Sequence, residues 1–376
     1  MNQTETTNTM LSLIRCFLTG ECFDGELSGE QREGVYDLAA RHDVAHLIGI
    51  VLERSTALEK DDPFVRAKWR AVYRYVKQDV ERQRIYELFE TEQIPYIPLK
   101  GNVIAQLYAE PWQRTSCDID ILVQEKDLER AVNALEHSLE YRFRKKSEHD
   151  VSLMTPGGVH LELHYDLHEQ EMSVTGVWEC AGPVCAESMQ FALAPEEFLL
   201  HHIAHMAKHF KYGGCGVRPF LDLQIIAQKM PYNKDELNAL LEERGLNRFA
   251  EMAFGLTALW FGNGEVTPIL TAAAEYIMPA GTYGSLKNRV AVGQLNRGDK
   301  AHYFLSRLFL SRKTLEYPYP MLKKHGWLLP FCQIHRWGKL LADGKWGQIT
   351  RELKTNSTLD DEYKGGVAQL MDLLGL

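Results

Sequence analysis

The chain lacks most of the features that would class it at once. Its 376 residues hold seven cysteines, an odd number, with no Cys-x-x-Cys pair among Cys16, Cys22, Cys117, Cys180, Cys185, Cys215 and Cys332. That usage argues against a disulfide framework or a thiolate zinc site and predicts reduced thiols in a cytoplasm. No apolar run approaches the ~18 residues of a membrane span, and residues 1–9 have neither the basic nor the apolar region of a signal peptide. Positive charge is not in surplus: 42 Lys and Arg face 51 Asp and Glu, for a formal net charge of -9. A broad duplex-binding surface is thereby disfavoured, so long nucleic acid is not the expected partner, while a local basic pocket for phosphate remains open. Internal repeats and low-complexity segments are absent too.

What is present is ordinary globular composition, 45% hydrophobic and 25% charged, in a chain too long for one compact core. Three parts are expected: an N-terminal helical part over 1–90, an α/β core over 91–190 and a C-terminal helical domain over 191–376. Helical periodicity marks 10–20 and 30–55, where Leu38, Val44, Leu47, Ile48 and Val51 share a face. Ser28 with Gln31 three residues on matches a capping box. A longer helix is predicted over 63–92. Beyond Pro195, helical segments are predicted over 196–210, 218–229, 234–262, 265–280 and 299–310, followed by a basic, proline-punctuated stretch over 311–330. The polar, glycine-containing tail over 356–366 predicts loosely held last residues.

The chemistry gathers at 117–123, a run of β-branched and aliphatic residues carrying Asp118 and Asp120. Read as a buried strand, it places both carboxylates on one face and Ile119, Ile121 and Val123 on the other. Neighbouring buried carboxylates repel unless a cation lies between them or one stays protonated. A divalent ion with hard oxygen ligands suits them; alternatively the acids cap a loop at a strand end. Upstream, 94–99 reads as a short strand, Lys100-Gly101 follows, 102–108 gives one or two helical turns, and 110–116 is a loop that includes Arg114. Downstream, 126–140 is an amphipathic helix, and 149–154 and 159–165 pair across the turn signal Thr155-Pro156-Gly157-Gly158. Alternation in the second of these puts His160, Glu162 and His164 on one face. If that strand lies beside the Asp118/Asp120 strand on the same helices, Glu162 joins the two aspartates; otherwise its polar face is simply solvated. His160 and His164 stand about 13 Å apart along a strand rising ~3.3 Å per residue, too far to share one ion.

Further on, His201, His205 and His209 share a helix face, but no carboxylate completes a His-Glu-x-x-His motif, so a histidine zinc site is not expected. Gly213-Gly214-Cys215-Gly216 breaks the helix. Arg218 precedes Asp222 by one turn, a spacing that permits an ion pair.

Residues 94–168 resemble the nucleotidyltransferase domain of the DNA polymerase β-like superfamily. The resemblance rests on Leu99-Lys100-Gly101 at a helix start, on Asp118-Ile119-Asp120 and on Leu161-Glu162-Leu163. A poorly characterised group of long bacterial nucleotidyltransferase-like proteins is closer still. It is similar in Leu-Lys-Gly, in Arg114 shortly before the aspartates, in the Leu-Glu-Leu-His strand and in a His-rich helix followed by Arg and Asp. The likeness runs from about residue 30 to 345. One departure stands out: better-known members carry Gly-Gly or Gly-Ser where this chain has Lys100-Gly101.

The resemblance implies an α+β fold, with a small mixed sheet of three to five strands between the N-terminal and larger C-terminal helical parts. It implies magnesium (or manganese) on Asp118, Asp120 and Glu162, a nucleoside triphosphate donor, and two-metal in-line transfer of a nucleoside monophosphate to a small-molecule or protein hydroxyl. Lys100, Gly101 and Arg114 are the candidates for the phosphates. His164 would support the metal ligands, and His205, His209, Arg218 and Asp222 would contact the acceptor or base. Two other readings stand beside it: a non-catalytic nucleotide- or partner-binding module of the same fold, motivated by Lys100, and an antitoxin-like protein paired with a helical partner.

Overall fold

The computed structural model describes residues 3–376 except 57, 170–171, 174–175, 317 and 345. Four helices come first: α1 (Gln3–Thr19), α2 (Gly29–Arg41), α3 (Ala45–Ser55) and α4 (Pro63–Thr91). The capping box at the start of α2 is present in both directions, with Gln31 N donating to Ser28 Oγ at 3.3 Å and Ser28 N to Gln31 Oε1 at 2.9 Å. α4 starts on Pro63, with the Asp62 carboxylate accepting from Phe64 N at 2.8 Å. The periodic run over 30–55 is two helices, because the chain turns between them at Asp43, whose φ is 55°.

The sheet region holds β1 (Tyr96–Pro98), α5 (Gly101–Ile104), β2 (Ile119–Val123), α6 (Leu128–Ser138), β3 (Arg142–Lys146), β4 (Asp150–Met154) and β5 (His160–His164). Two short antiparallel strand pairs follow, β6 (His168–Glu169) with β7 (Met172–Ser173) and β8 (Ala181–Pro183) with β9 (Phe191–Leu193). The main sheet has five strands in the order β1-β2-β5-β4-β3 and is mixed: β2 and β5 run parallel and the other pairs antiparallel. Its outer strand β3 is exposed and basic, which suits an edge that must not pair with another chain. The architecture is α+β, as expected.

Alternation decides which face of the sheet is dry. Ile119, Ile121, Val123, Leu161 and Leu163 pack on Ile85 and Phe89 of α4 and on Leu128, Ala131 and Leu135 of α6. Residues of the opposite parity in β2 and β5 face away from those helices. Facing them across a pocket is the first of a long helical series: α7 (Pro195–Lys211), α8 (Arg218–Lys229), α9 (Lys234–Glu243), α10 (Asn247–Phe261) and α11 (Pro268–Ile277). The series continues through α12 (Leu286–Leu295), α13 (Lys300–Leu308), α14 (Arg312–Glu316), α15 (Leu329–Ala342), α16 (Trp346–Thr358) and α17 (Asp361–Leu374). Residues of α1–α3 share one apolar core with residues of α7, α8, α10 and α11, so the start of the chain is packed against its second half.

The tail departs from expectation. Residues 361–374 form a helix that buries Val367, Leu370, Met371 and Leu374 against that core. Its apolar residues recur at helical spacing, and the polar stretch before it had masked them. Leu374→Ala is expected to lower unfolding free energy by about 2–5 kcal/mol, whereas Leu373→Ala, at a position 46% exposed, stays within about 0.5 kcal/mol of wild type; urea denaturation of the two variants compares them.

Candidate active site

The segment joining β1 to α5 is a tight turn closed by Asn102 N donating to Leu99 O at 3.1 Å. Its first corner is Lys100, at φ 46° and ψ -118°. That is the first corner of a type II′ turn, a backbone state dominated by glycine. Lysine here is strained, and its side chain reaches the sheet, with Nζ 2.8 Å from Asp120 Oδ1. At Gly101 a Cβ would collide with the Arg114 guanidinium and come within 3.0 Å of Ser116 Oγ. The glycine is therefore required by the arginine packed over it.

The parallel register pairs Asp120 with Glu162 directly. Asp118, one residue before β2, shares their side of the sheet, and all three line a pocket of about 280 Å³. Ligand atoms of Asp118, His160 and Glu162 lie within 4.8 Å of one another, and so do those of Asp120, Glu162 and His164. Two donor groups thus meet at Glu162, each with one imidazole. His164 Nε2 is 3.0 Å from Asp120 Oδ1 and 3.8 Å from Glu162 Oε2. His160 pairs with Ser152 Oγ at 2.6 Å.

The three acids differ electrostatically. Burial pushes the Asp120 carboxyl up, but Lys100 and then His164 more than reverse this and hold it well below the usual carboxylate range. Asp118 is raised by burial and by the charge of Asp120. Glu162 is raised by burial and by both aspartates. The wall thus combines one acid whose ionised form is favoured with two whose ionisation is opposed.

A second buried group forms part of the pocket wall. Arg114 Nη2 and Nε reach Asp222 Oδ2 at 3.1 and 3.3 Å, and the Tyr108 hydroxyl donates to Asp222 Oδ1 at 2.8 Å. Burial opposes ionisation of Asp222, yet Arg114, Arg218 and His202 together hold its pKa below the ordinary value. The one-turn Arg218–Asp222 pair that the spacing permits is not formed. Arg218 is the first residue of α8, where side chains lean back past the N-terminus. It pairs with Asp43 and donates to Thr115 O at 3.2 Å, while the Thr115 hydroxyl donates to Asp43 at 2.7 Å. His46 adds a bond from Nε2 to Gln113 O at 2.7 Å. The loop that delivers Asp118 is thereby held from α8 on one side and from the α2–α3 corner on the other.

Across the pocket from the carboxylates, α7 presents His201, His202, His205 and His209. His205 and His209 stack edge-on with their Nε2 atoms 3.1 Å apart. His202 bonds Pro219 O at 3.0 Å, and burial lowers its pKa. Tyr283, from the loop before α12, closes one side, its hydroxyl 3.1 Å from Cys117 Sγ.

A family model described as an uncharacterised nucleotidyltransferase matches residues 28–262, which include the three acids and their braces from Asp43 to Asp222. The chain belongs to this family. No curated protein and no solved structure matches it.

In this nucleotidyltransferase-family chain the structure brings Lys100, Gly101, Arg114, Asp118, Asp120, Glu162, His205, His209, Arg218 and Asp222 to one pocket, with His164 on the Asp120 carboxylate just behind it. Sequence reasoning missed Asp43, Tyr108 and Tyr283. Asp43 is one acid at a helix corner, and the two tyrosines bond partners 114 and 166 residues away in the chain. None carries a local signal.

Two outcomes follow. Lys100→Gly and Lys100→Ala both remove the ammonium, but glycine tolerates the corner, so the glycine variant is expected to be the more stable by about 1 kcal/mol in denaturant unfolding. Asp222→Asn breaks a buried pair at a cost of about 3 kcal/mol. The folded Asp222 carboxyl binds its proton less readily than the unfolded one, so the stability it confers is complete above the unfolded pKa of about 3.9 and fades as pH falls. The gap between wild type and Asp222→Asn should therefore be flat above about pH 5 and shrink below about pH 4.

Proposed function

We propose that the protein is a metal-dependent nucleotidyltransferase of the DNA polymerase β-like kind, moving a nucleoside monophosphate from a nucleoside triphosphate to a hydroxyl of a small molecule or protein side chain. The observation that carries this reading is the parallel pairing of Asp120 with Glu162, which sets Asp118, Asp120 and Glu162 on one wall of a pocket. The donor set fits a hard divalent cation: three carboxylates predominate, two of them with pKa values raised by burial and by their neighbours' negative charge. Asp118, Asp120 and Glu162 would hold magnesium, and the nearby imidazoles make manganese acceptable as well. Bound there, the metal would neutralise phosphate charge and acidify the acceptor hydroxyl.

The chain's own groups divide the remaining work. The acceptor oxygen attacks the α-phosphorus, the bond from the α-phosphorus to the bridging oxygen breaks, and pyrophosphate leaves. Glu162, with its raised pKa, is placed to take the acceptor's proton. Lys100, at the edge of the pocket, is the cation for the triphosphate. Arg114 is engaged with Asp222, so it acts on the phosphates through its field. His164 steadies Asp120, His205 and His209 face the acceptor or base from α7, and Arg218 fixes the loop before Asp118.

A second reading keeps the fold without turnover, as a nucleotide-binding module. The Lys100–Asp120 ion pair favours it, because a lysine already compensates the most strongly ionised acid. Thermal unfolding against ATP, GTP, CTP and UTP, with and without magnesium, separates the two. A nucleotide at 100 times its dissociation constant stabilises by ~2.7 kcal/mol, a shift of a few degrees. The transferase reading expects a shift that needs both magnesium and Asp118 and is lost in Asp118→Asn, together with nucleotidyl transfer that disappears in the Asp118→Ala, Asp120→Ala double variant. A shift indifferent to magnesium, with no transferred label, would move the assignment to the binding module.

A further inference from the structure

A second cleft lies apart from the carboxylate pocket. It has a volume of about 820 Å³, lies between α12, α13 and α16, and apart from Tyr212 is built from residues beyond 262, outside the family match. Its walls carry four arginines, Arg289 on α12, Arg297 just past the end of α12, Arg307 on α13 and Arg351 on α16, against one carboxylate, Glu352. Glu352 is already engaged: Arg307 Nε reaches its Oε1 at 2.7 Å and Arg307 Nη2 its Oε2 at 3.0 Å, and it also accepts the Tyr303 hydroxyl. Among the described residues, no carboxylate stands within ion-pair distance of Arg289, Arg297 or Arg351. Arg297 has only a long bond of 3.5 Å to Gly293 O and lies over the Tyr303 ring at 5.7 Å; Arg351 Nε bonds the Gly347 carbonyl at 3.2 Å.

This concentration of one charge is at odds with a chain whose net charge is -9. Guanidinium groups keep their protons at any physiological pH, so an anion bound among them would relieve their mutual repulsion. Their planar forks match phosphate oxygens, and the cleft is of a size that takes a whole small molecule rather than a lone ion. Tyr212, 44% exposed at the rim, offers an aromatic face beside the charges. The cleft also backs onto the carboxylate pocket. Tyr212 follows His209 by three residues and Leu286 follows Tyr283 by three, and Ser285 N donates to Gly213 O at 3.0 Å in the partition between them.

We propose that the arginine-lined cleft between α12, α13 and α16 binds an organic phosphate carrying at least two negative charges. The proposal is independent of the assignment of the carboxylate pocket. Isothermal titration of the full chain in EDTA, with ADP as the nucleotide probe and fructose 1,6-bisphosphate as the sugar-phosphate probe, tests it. Saturable binding of either probe is expected, and which of the two binds names the class. Affinity should fall roughly tenfold or more in the Arg289→Gln, Arg351→Gln double variant and be unchanged in Asp118→Asn. Both arginines are exposed, so the double variant should unfold at the wild-type temperature, and that measurement accompanies the titration. Absence of saturable binding by both probes overturns the proposal. So does binding that survives the arginine replacements, or binding that is lost in Asp118→Asn, which would place the phosphate in the carboxylate pocket.

Discussion

Much of the molecule hangs on one buried ion pair, Arg114 with Asp222. It joins the loop before β2 to helix α8, two segments 108 residues apart in the chain. Arg114 packs over Gly101 and so excludes any side chain there, and Asp222 takes the Tyr108 hydroxyl as well, so the turn, the loop and the helix are fixed by one pair of charges. Such a pair gains little over apolar packing in net stability, but breaking it strands a charge in the interior. Its value lies in geometry: Asp118 enters the pocket four residues after an anchored arginine.

The pocket itself is a problem of like charge. Three carboxylates share a buried wall, and the protein relieves the repulsion unevenly. Lys100 and His164 both bond Asp120 Oδ1, which leaves Asp118 and Glu162 under-compensated. The cation nearest Asp120 stands at a backbone corner where glycine would be at ease. A strained residue next to the most ionised acid is a feature of functional sites, where local cost is offset by the surrounding fold.

Much of this was legible in the sequence. Period-two alternation in 117–123 and 159–165 identified the polar and apolar faces of β2 and β5, and turn chemistry at 155–158 located the β4–β5 hairpin. The capping box at Ser28 announced α2. What alternation cannot supply is strand direction and neighbour, and the parallel β2–β5 pairing is a tertiary fact. Ion pairs were the least legible: the i, i+4 spacing of Arg218 and Asp222 suggested a local partner, and burial gave each a distant one. Helices α12, α15 and α16 escaped notice because their apolar positions sit among polar, aromatic and proline-bearing stretches, and α17 because a polar tail precedes it.

The β2–β5 register has a temporal consequence. Asp120 and Glu162 stand 42 positions apart in the chain and meet in a parallel pair that no hairpin can nucleate. A slip of one residue would turn Glu162 towards α4 and α6 and Leu161 or Leu163 into the pocket. The wall of carboxylates therefore has no half-built form: it is absent until this non-local contact closes, and complete once it has. Contacts of that kind form late, since loop closure must precede any reward. A nascent or partly unfolded chain would carry the acids but not the site.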